Sequence, residues 1–259
     1  MKVIHLFSKF LIVVMTMTGF AMQSIQAADN KTIVVYGASG RIGEVIVEVA
    51  LERGYKVIGI SRNPDKLQVE HKNFTAKKGD LMDVISIREL ARGVDAIVIS
   101  VLAKARDNQP ENSLVAHAAK NMQEALGNLE NKPYIVQIGS ASLMYGSTLD
   151  DIRKNMKDAP FPFEEGTVMY GVLFGHQLSF RTYLASNLPW TIVAPPMKIL
   201  GIYENPDKTT TKETFRTSTS EPLIDTDGNN TIYVRDLARA AVSEIEDRKF
   251  ERQVFTVGY

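Results

Sequence analysis

The stretch Ile33 to Ala50, IVVYGASGRIGEVIVEVA, restricts the fold of this chain more than any other. Ile33 to Tyr36 have strand character and run straight into Gly37, Gly40 and Gly43, after which Ile42, Val45, Ile46 and Val49 recur at helical spacing. A strand that turns through three glycines into a helix is the first part of a β-α-β unit. Gly37 permits a sharp turn, Gly40 lets backbone approach a ligand with no Cβ in the way, and Gly43 lets the helix pack closely on the sheet. The first N–H groups of the helix then have no intrahelical partners and favour a pyrophosphate. Gly37, Ala38, Ser39, Gly40, Arg41, Ile42 and Gly43 are therefore the candidate cofactor-binding turn.

The rest of the chain repeats the alternation. Strands are predicted at Thr32 to Tyr36, Lys56 to Ile60, Phe74 to Lys78, Ala96 to Val101, Tyr134 to Ile138, Thr191 to Ala194 and Gln253 to Val257, with helices over 41–53, 83–92, 111–130, 167–187 and 235–247. Strands separated by helices of this length predict an α/β fold: a single Rossmann-type domain with a doubly wound, mostly parallel sheet covered by helices on both faces. Two stretches interrupt the rhythm, 139–165 and 203–227, and both follow strand ends on the side where such sheets bind ligands. They are predicted to form the walls or lid of a substrate cleft, the alternative being surface excursions with no ligand role.

The second strand ends in Ser61-Arg62-Asn63. An acidic residue at this place would bind the ribose 2′-hydroxyl of NAD, whereas an arginine suits the 2′-phosphate of NADP. Arg62, with Arg41 and the Ser61 hydroxyl, predicts a preference for NADP(H), with NAD(H) as the alternative. Gly79-Asp80-Leu81 closes the third strand, where Asp80 could accept from the adenine amino group while Leu81 packs on the ring; Asp80 could equally cap the helix that starts near Asp83. Val101, at the end of the fourth strand, completes this candidate set.

Composition removes several classes. The 259 residues hold thirty basic and thirty acidic side chains, so no global field recruits nucleic acid or anionic lipid. There is no cysteine, which excludes disulfides, thiolate metal sites and cysteine nucleophiles. His71, His117 and His176 lack ligand spacing, and no metal site is predicted. Residues 1–27, MKVIHLFSKFLIVVMTMTGFAMQSIQA, have the basic, apolar and small-residue order of a cleaved secretory signal, leaving 28–259 as a periplasmic or secreted domain with no stable membrane span. A start at Met22 would instead give a cytoplasmic protein.

GASGRIG, SRNPDKL, GDLMD, VDAIVIS, IGSAS and LPWTIVAPP together resemble the atypical short-chain dehydrogenase/reductase superfamily, over essentially residues 31–259. Within it the chain is similar to the NADH-flavin reductase group that includes biliverdin reductase B-like proteins. The resemblance implies a serine at the fifth strand's exit and a Tyr-x-x-x-Lys pair on the next helix. Ser140 occupies the serine place, with Ser142 as fallback, but the Tyr and Lys places fall on Val172 and His176. No tyrosine in the sequence has a lysine four residues later. The resemblance therefore implies Ser140 beside the nicotinamide or acceptor, His176 as a pocket residue able to donate a proton, and Pro195 and Pro196 bordering the nicotinamide.

Tyr145, Phe161, Phe163, Met169 and Tyr170 could offer a flat apolar surface to an aromatic small-molecule acceptor. The expected activity is an NAD(P)H-dependent reductase passing hydride to a flavin, quinone-like or other aromatic acceptor. Its alternatives are a non-catalytic, redox-sensing NADP(H)-binding regulator and an epimerase/dehydratase-like enzyme. Sequence leaves the oligomeric state open.

Overall fold

The computed structural model describes residues 31–105, 107–146, 148–156, 164–203 and 208–259. The candidate signal, Phe161 and Phe163 lie outside them. In chain order the described residues form β1 (Thr32–Tyr36), α1 (Gly43–Glu52), β2 (Lys56–Ser61), β3 (Phe74–Lys78), α2 (Val84–Leu90), β4 (Ala96–Ile99), α3 (Leu114–Leu126) and β5 (Tyr134–Ile138). There follow α4 (Leu149–Asn155), α5 (Val168–Ala185), β6 (Trp190–Ala194), β7 (Lys198–Leu200), β8 (Arg216–Ser218), β9 (Thr231–Tyr233), α6 (Val234–Asp247) and β10 (Val254–Gly258).

Eight strands make one sheet in the order β3-β2-β1-β4-β5-β6-β10-β8, parallel except for the last pair, and β7 and β9 pair separately. Strand order reverses between β1 and β4, which are in register at Val35 and Val98. The alternation along β1 explains why both faces are filled. Ile33 and Val35 point into a core with α1 and α6, while Val34 and Tyr36 point into a second core with α2, α3 and α5. Because both faces are covered, the central strands are apolar at nearly every position rather than alternating. At one edge, β3 exposes Lys77 and Lys78, charges that disfavour pairing with another chain.

Helix boundaries follow their caps. Asp83 accepts from the N–H groups of Ile85 and Ser86 and starts α2; Ser113 caps α3 and Thr167 caps α5. The predicted 111–130 helix is split: Pro110–Asn112 form one 3₁₀ turn, and Ser113, in extended conformation, restarts the chain as α3. The predicted fourth strand ends early. The Ser100 N–H still bonds the Tyr36 carbonyl (3.0 Å), but Val101 and the residues after it leave the ladder. The 139–165 stretch contains a 3₁₀ turn and α4, and 203–227 contains β8, which pairs with β10. No described helix is long and apolar enough to cross a membrane.

Candidate functional site

The reversal between β1 and β4 leaves a crevice beyond their carboxyl ends, where open α/β sheets bind ligands. Gly37 stands at its base with φ +82°, and a Cβ there would lie 2.1 Å from the Ser100 carbonyl oxygen. A Cβ on Gly43 would lie 2.0 Å from the Gly37 carbonyl oxygen, so the start of α1 is seated directly on the turn. Gly40 differs: its nearest obstruction is the Gly37 oxygen at 3.1 Å, and it lines the crevice. No side chain caps α1 at Ile42; the Gly40 N–H is taken by the Gly37 carbonyl at 2.8 Å and the Glu44 N–H by the Gly40 carbonyl at 2.9 Å. A bare turn with an uncapped helix start fits the pyrophosphate of a dinucleotide.

The crevice is a cleft of about 950 Å³. Gly37, Ser39, Gly40, Arg62, Asp80, Leu81 and Val101 of the candidate set line it. Ala38, Ile42 and Gly43 instead hold the turn on the core: Ala38 is buried against the α1 and α6 side and Ile42 packs beside it. Arg41 does not reach the cleft wall; its guanidinium lies 4.7 Å from the centre of the Tyr203 ring. Asp80 accepts from the Met82 N–H at 2.9 Å, and the cap of α2 is Asp83, which separates the two roles left open for Asp80. The cleft's other wall comes from residues to which the sequence reading gave no cofactor role, chiefly Ser100, Leu102, Lys104 and His117. Neither 139–165 nor 203–227 contributes to this lining among the described residues.

Ser140, His176 and Pro195 lie along the same sheet edge, over β5 and β6, outside the lining of this cleft. Ser140 accepts hydrogen bonds from the N–H (3.3 Å) and hydroxyl (3.1 Å) of buried Ser142, so its own O–H is left to donate outward. Pro195 is buried directly after β6. Helix α5 runs antiparallel to β5, and the Gln137 amide and Ser179 hydroxyl pin the two together at 3.0 and 3.1 Å. His176, one turn nearer the helix start, is thereby level with the exit of β5 where Ser140 stands. It is 5% exposed, and its Nδ1 has no hydrogen-bond partner. Burial alone pushes the imidazole down to about 4, so it is neutral at neutral pH and serves as a hydrogen-bonding group before it can serve as an acid.

Tyr145 and Met169 pack with Ile152, Met156, Leu173 and Phe174 in a small apolar cluster next to Met197, and the Tyr170 and Phe174 rings are 4.7 Å apart.

The model of a family described as NAD(P)H-binding matches residues 37–248. Cinnamoyl-CoA reductase 1 of Petunia hybrida is 33% identical over 81 residues, 28% of this chain and 24% of that enzyme, so the match spans about a quarter of the relative's length. Among solved structures, a protein of Burkholderia pseudomallei provisionally named as exported superposes with TM-score 0.66 at 26% identity, covering 88% of this chain and 100% of that one. A Streptococcus pneumoniae protein provisionally named an NADH-flavin reductase superposes with TM-score 0.67 at 21% identity, covering 88% and 99%.

Proposed function

The chain belongs to the NAD(P)H-binding family, and from that premise we propose that it is an NADPH-dependent reductase acting on a flat conjugated acceptor of the flavin or quinone type. The observation that carries this is the division of the sheet edge. A cleft with a bare glycine turn lies at the strand reversal, while the place where a Tyr-x-x-x-Lys pair would sit holds Val172 and a buried, neutral His176. When bound, NADPH supplies the hydride. The Gly37–Gly43 turn and the N-terminus of α1 hold its pyrophosphate, and Arg62 at the end of β2 pairs with the 2′-phosphate. Ser140 donates to the acceptor ring, and His176 orients it through a neutral hydrogen bond. Water delivers the proton that an alcohol dehydrogenase would take from tyrosine.

The test is multiple turnover. The 28–259 protein with NADPH and an excess of FMN, or in parallel menadione, should consume many equivalents of NADPH per protein, read by absorbance. Binding of NADPH with no turnover on either acceptor would favour the redox-sensing regulator. We also propose export through residues 1–27, a reading supported by the provisional name of the Burkholderia pseudomallei protein. N-terminal sequencing from the native cell should find Ala28; Met22 would overturn export.

A further inference from the structure

Charge divides the ligand edge of the sheet into two unlike halves. Arg62 and Lys104 line the cleft at the strand reversal. Beyond β5 and β6 the balance turns over: from Tyr145 to Tyr170 the chain carries five acidic and three basic side chains, a net charge of −2. Arg153 is occupied inside that segment, paired with Asp150 at 3.4 Å and with Glu164. The N-terminus of α5 would ordinarily favour an anion, but Thr167 caps it and Glu164 and Glu165 stand immediately before it in the chain.

The acidic half nevertheless carries an apolar floor. Met169, Leu173 and Gln177 recur at every fourth residue and so share one face of α5. Leu173 is buried with Ile152 and Met156 of α4 and its cap, while Tyr145, Met169, Phe174 and Met197 pack on them and stay partly uncovered. The Gln177 amide donates to the Gly146 carbonyl and the Asn155 amide to the Tyr145 carbonyl, each at 2.7 Å, so the backbone that carries the Tyr145 ring is held from two helices. Two neutral polar groups adjoin this floor along the chain. Ser140, with its outward O–H, starts the 3₁₀ turn that leads to Tyr145. His176 precedes Gln177 and is 5% exposed with its Nδ1 unpartnered.

We propose that this half of the edge selects an uncharged acceptor, a flat ring system that bears carbonyl groups but no phosphate or sulfonate and lies on Tyr145, Met169 and Met197 within hydrogen-bonding reach of Ser140 and His176. The inference rests on the reductase reading above and narrows its substrate class. A phosphate brought to a segment of net charge −2 meets repulsion, whereas a neutral ring meets polarisable methionine and aromatic surface and loses nothing to the field.

Steady-state rates of the purified protein at saturating NADPH, with riboflavin and FMN as acceptors, test this. The two flavins share one isoalloxazine ring and differ by a terminal phosphate, so the chemistry of the ring cancels from the comparison. The kcat/KM for riboflavin should exceed that for FMN by about threefold at low ionic strength, and the gap should close near about 0.5 M salt. Glu165→Lys, at an exposed position before α5, should raise the FMN-to-riboflavin ratio by about threefold. If quinones alone turn over, 1,2-naphthoquinone and its 4-sulfonate take the place of the two flavins. FMN used as well as or better than riboflavin overturns this proposal alone, and so does a riboflavin preference unmoved by salt and by Glu165→Lys, which would be steric. Absence of turnover with every acceptor overturns it together with the reductase reading.

Discussion

At the scale of single residues, His176 carries an electrostatic cost that can be read from outside. Its imidazole is buried with Nδ1 unpartnered, and burial lowers it from the ordinary histidine value of about 6.5 to about 4. The unfolded chain therefore binds a proton that the folded one refuses between those values. His176 leaves stability intact above about pH 6.5 and removes on the order of 3 kcal/mol as pH falls through 4. His176→Gln should flatten the fall in Tm over that window relative to wild type; parallel curves would mean the imidazole is solvated after all. Arg62 makes a second prediction, because it is an exposed cation of the cleft with no ion pair among the described residues. Arg62→Gln should weaken NADPH about tenfold and leave NADH within about twofold, as measured by titration. Equal weakening of both would remove Arg62 from 2′-phosphate recognition. Arg62 could be singled out in the sequence because it follows a strand end, and His176 because it falls on the Lys place of the Tyr-x-x-x-Lys spacing. Lys104 could not, since only the burial of Ala103 and Ala105 reveals which way its backbone turns it.

At the scale of elements, the turn between β1 and α1 separates stability from binding, and its glycines are not equivalent. Alanine at Gly37 would place Cβ 2.1 Å from the Ser100 oxygen at φ +82°, costing at least about 3 kcal/mol in overlap and backbone strain. Alanine at Gly40 meets the Gly37 oxygen at 3.1 Å and the Ser100 oxygen at 3.8 Å, far looser than at Gly37, and so should move Tm by less than about 4 °C, yet Gly40 lines the cleft. Gly40→Ala should therefore fold normally and lose NADPH binding by more than about tenfold, whereas Gly37→Ala should lose folded protein first. A Gly40→Ala protein that binds as tightly as wild type would place the pyrophosphate elsewhere. The seven strands and five helices read from periodicity are all present, because buried parallel strands and amphipathic helices write long patterns. What periodicity missed is short. Three-residue β7, β8 and β9 cannot show alternation, and the seven-residue α4 announces itself only by the reciprocal Thr148 and Asp151 cap.

At the scale of the whole molecule, the described residues after β7 are fastened to the helices α1 and α6. Tyr203 stacks on Arg41, and Lys208 pairs with Glu44 in the first turn of α1. Farther along, the chain is fastened to α6 through Asp236, a carboxylate with no exposed surface. Asp236 accepts from the Thr211 hydroxyl, from the Lys212 N–H at 2.8 Å and from the hydroxyl of Tyr259 at 2.6 Å, and the Lys212 ammonium lies 3.9 Å over the Tyr259 ring. Burial and the Asp236 carboxylate both raise the Tyr259 hydroxyl well above its ordinary range, so it stays a donor. The Arg216 guanidinium then bonds the Tyr259 carbonyl, joining β8 to the last residue. One buried charge thus holds together α6, the 211–212 backbone and the C-terminal residue. Asp236→Ala would strand three donors at once and should cost about 3–5 kcal/mol, a fall of roughly 6–20 °C in Tm for a domain of this size. Asp236, Thr211 and Tyr259 are all absent from the cleft lining, so the variant's NADPH affinity, measured below its melting range, should stay within about threefold of wild type. Loss of affinity in step with stability would show instead that this fastening sets the shape of the cofactor cleft, with Glu44 and Arg41 as the route by which it reaches the glycine turn.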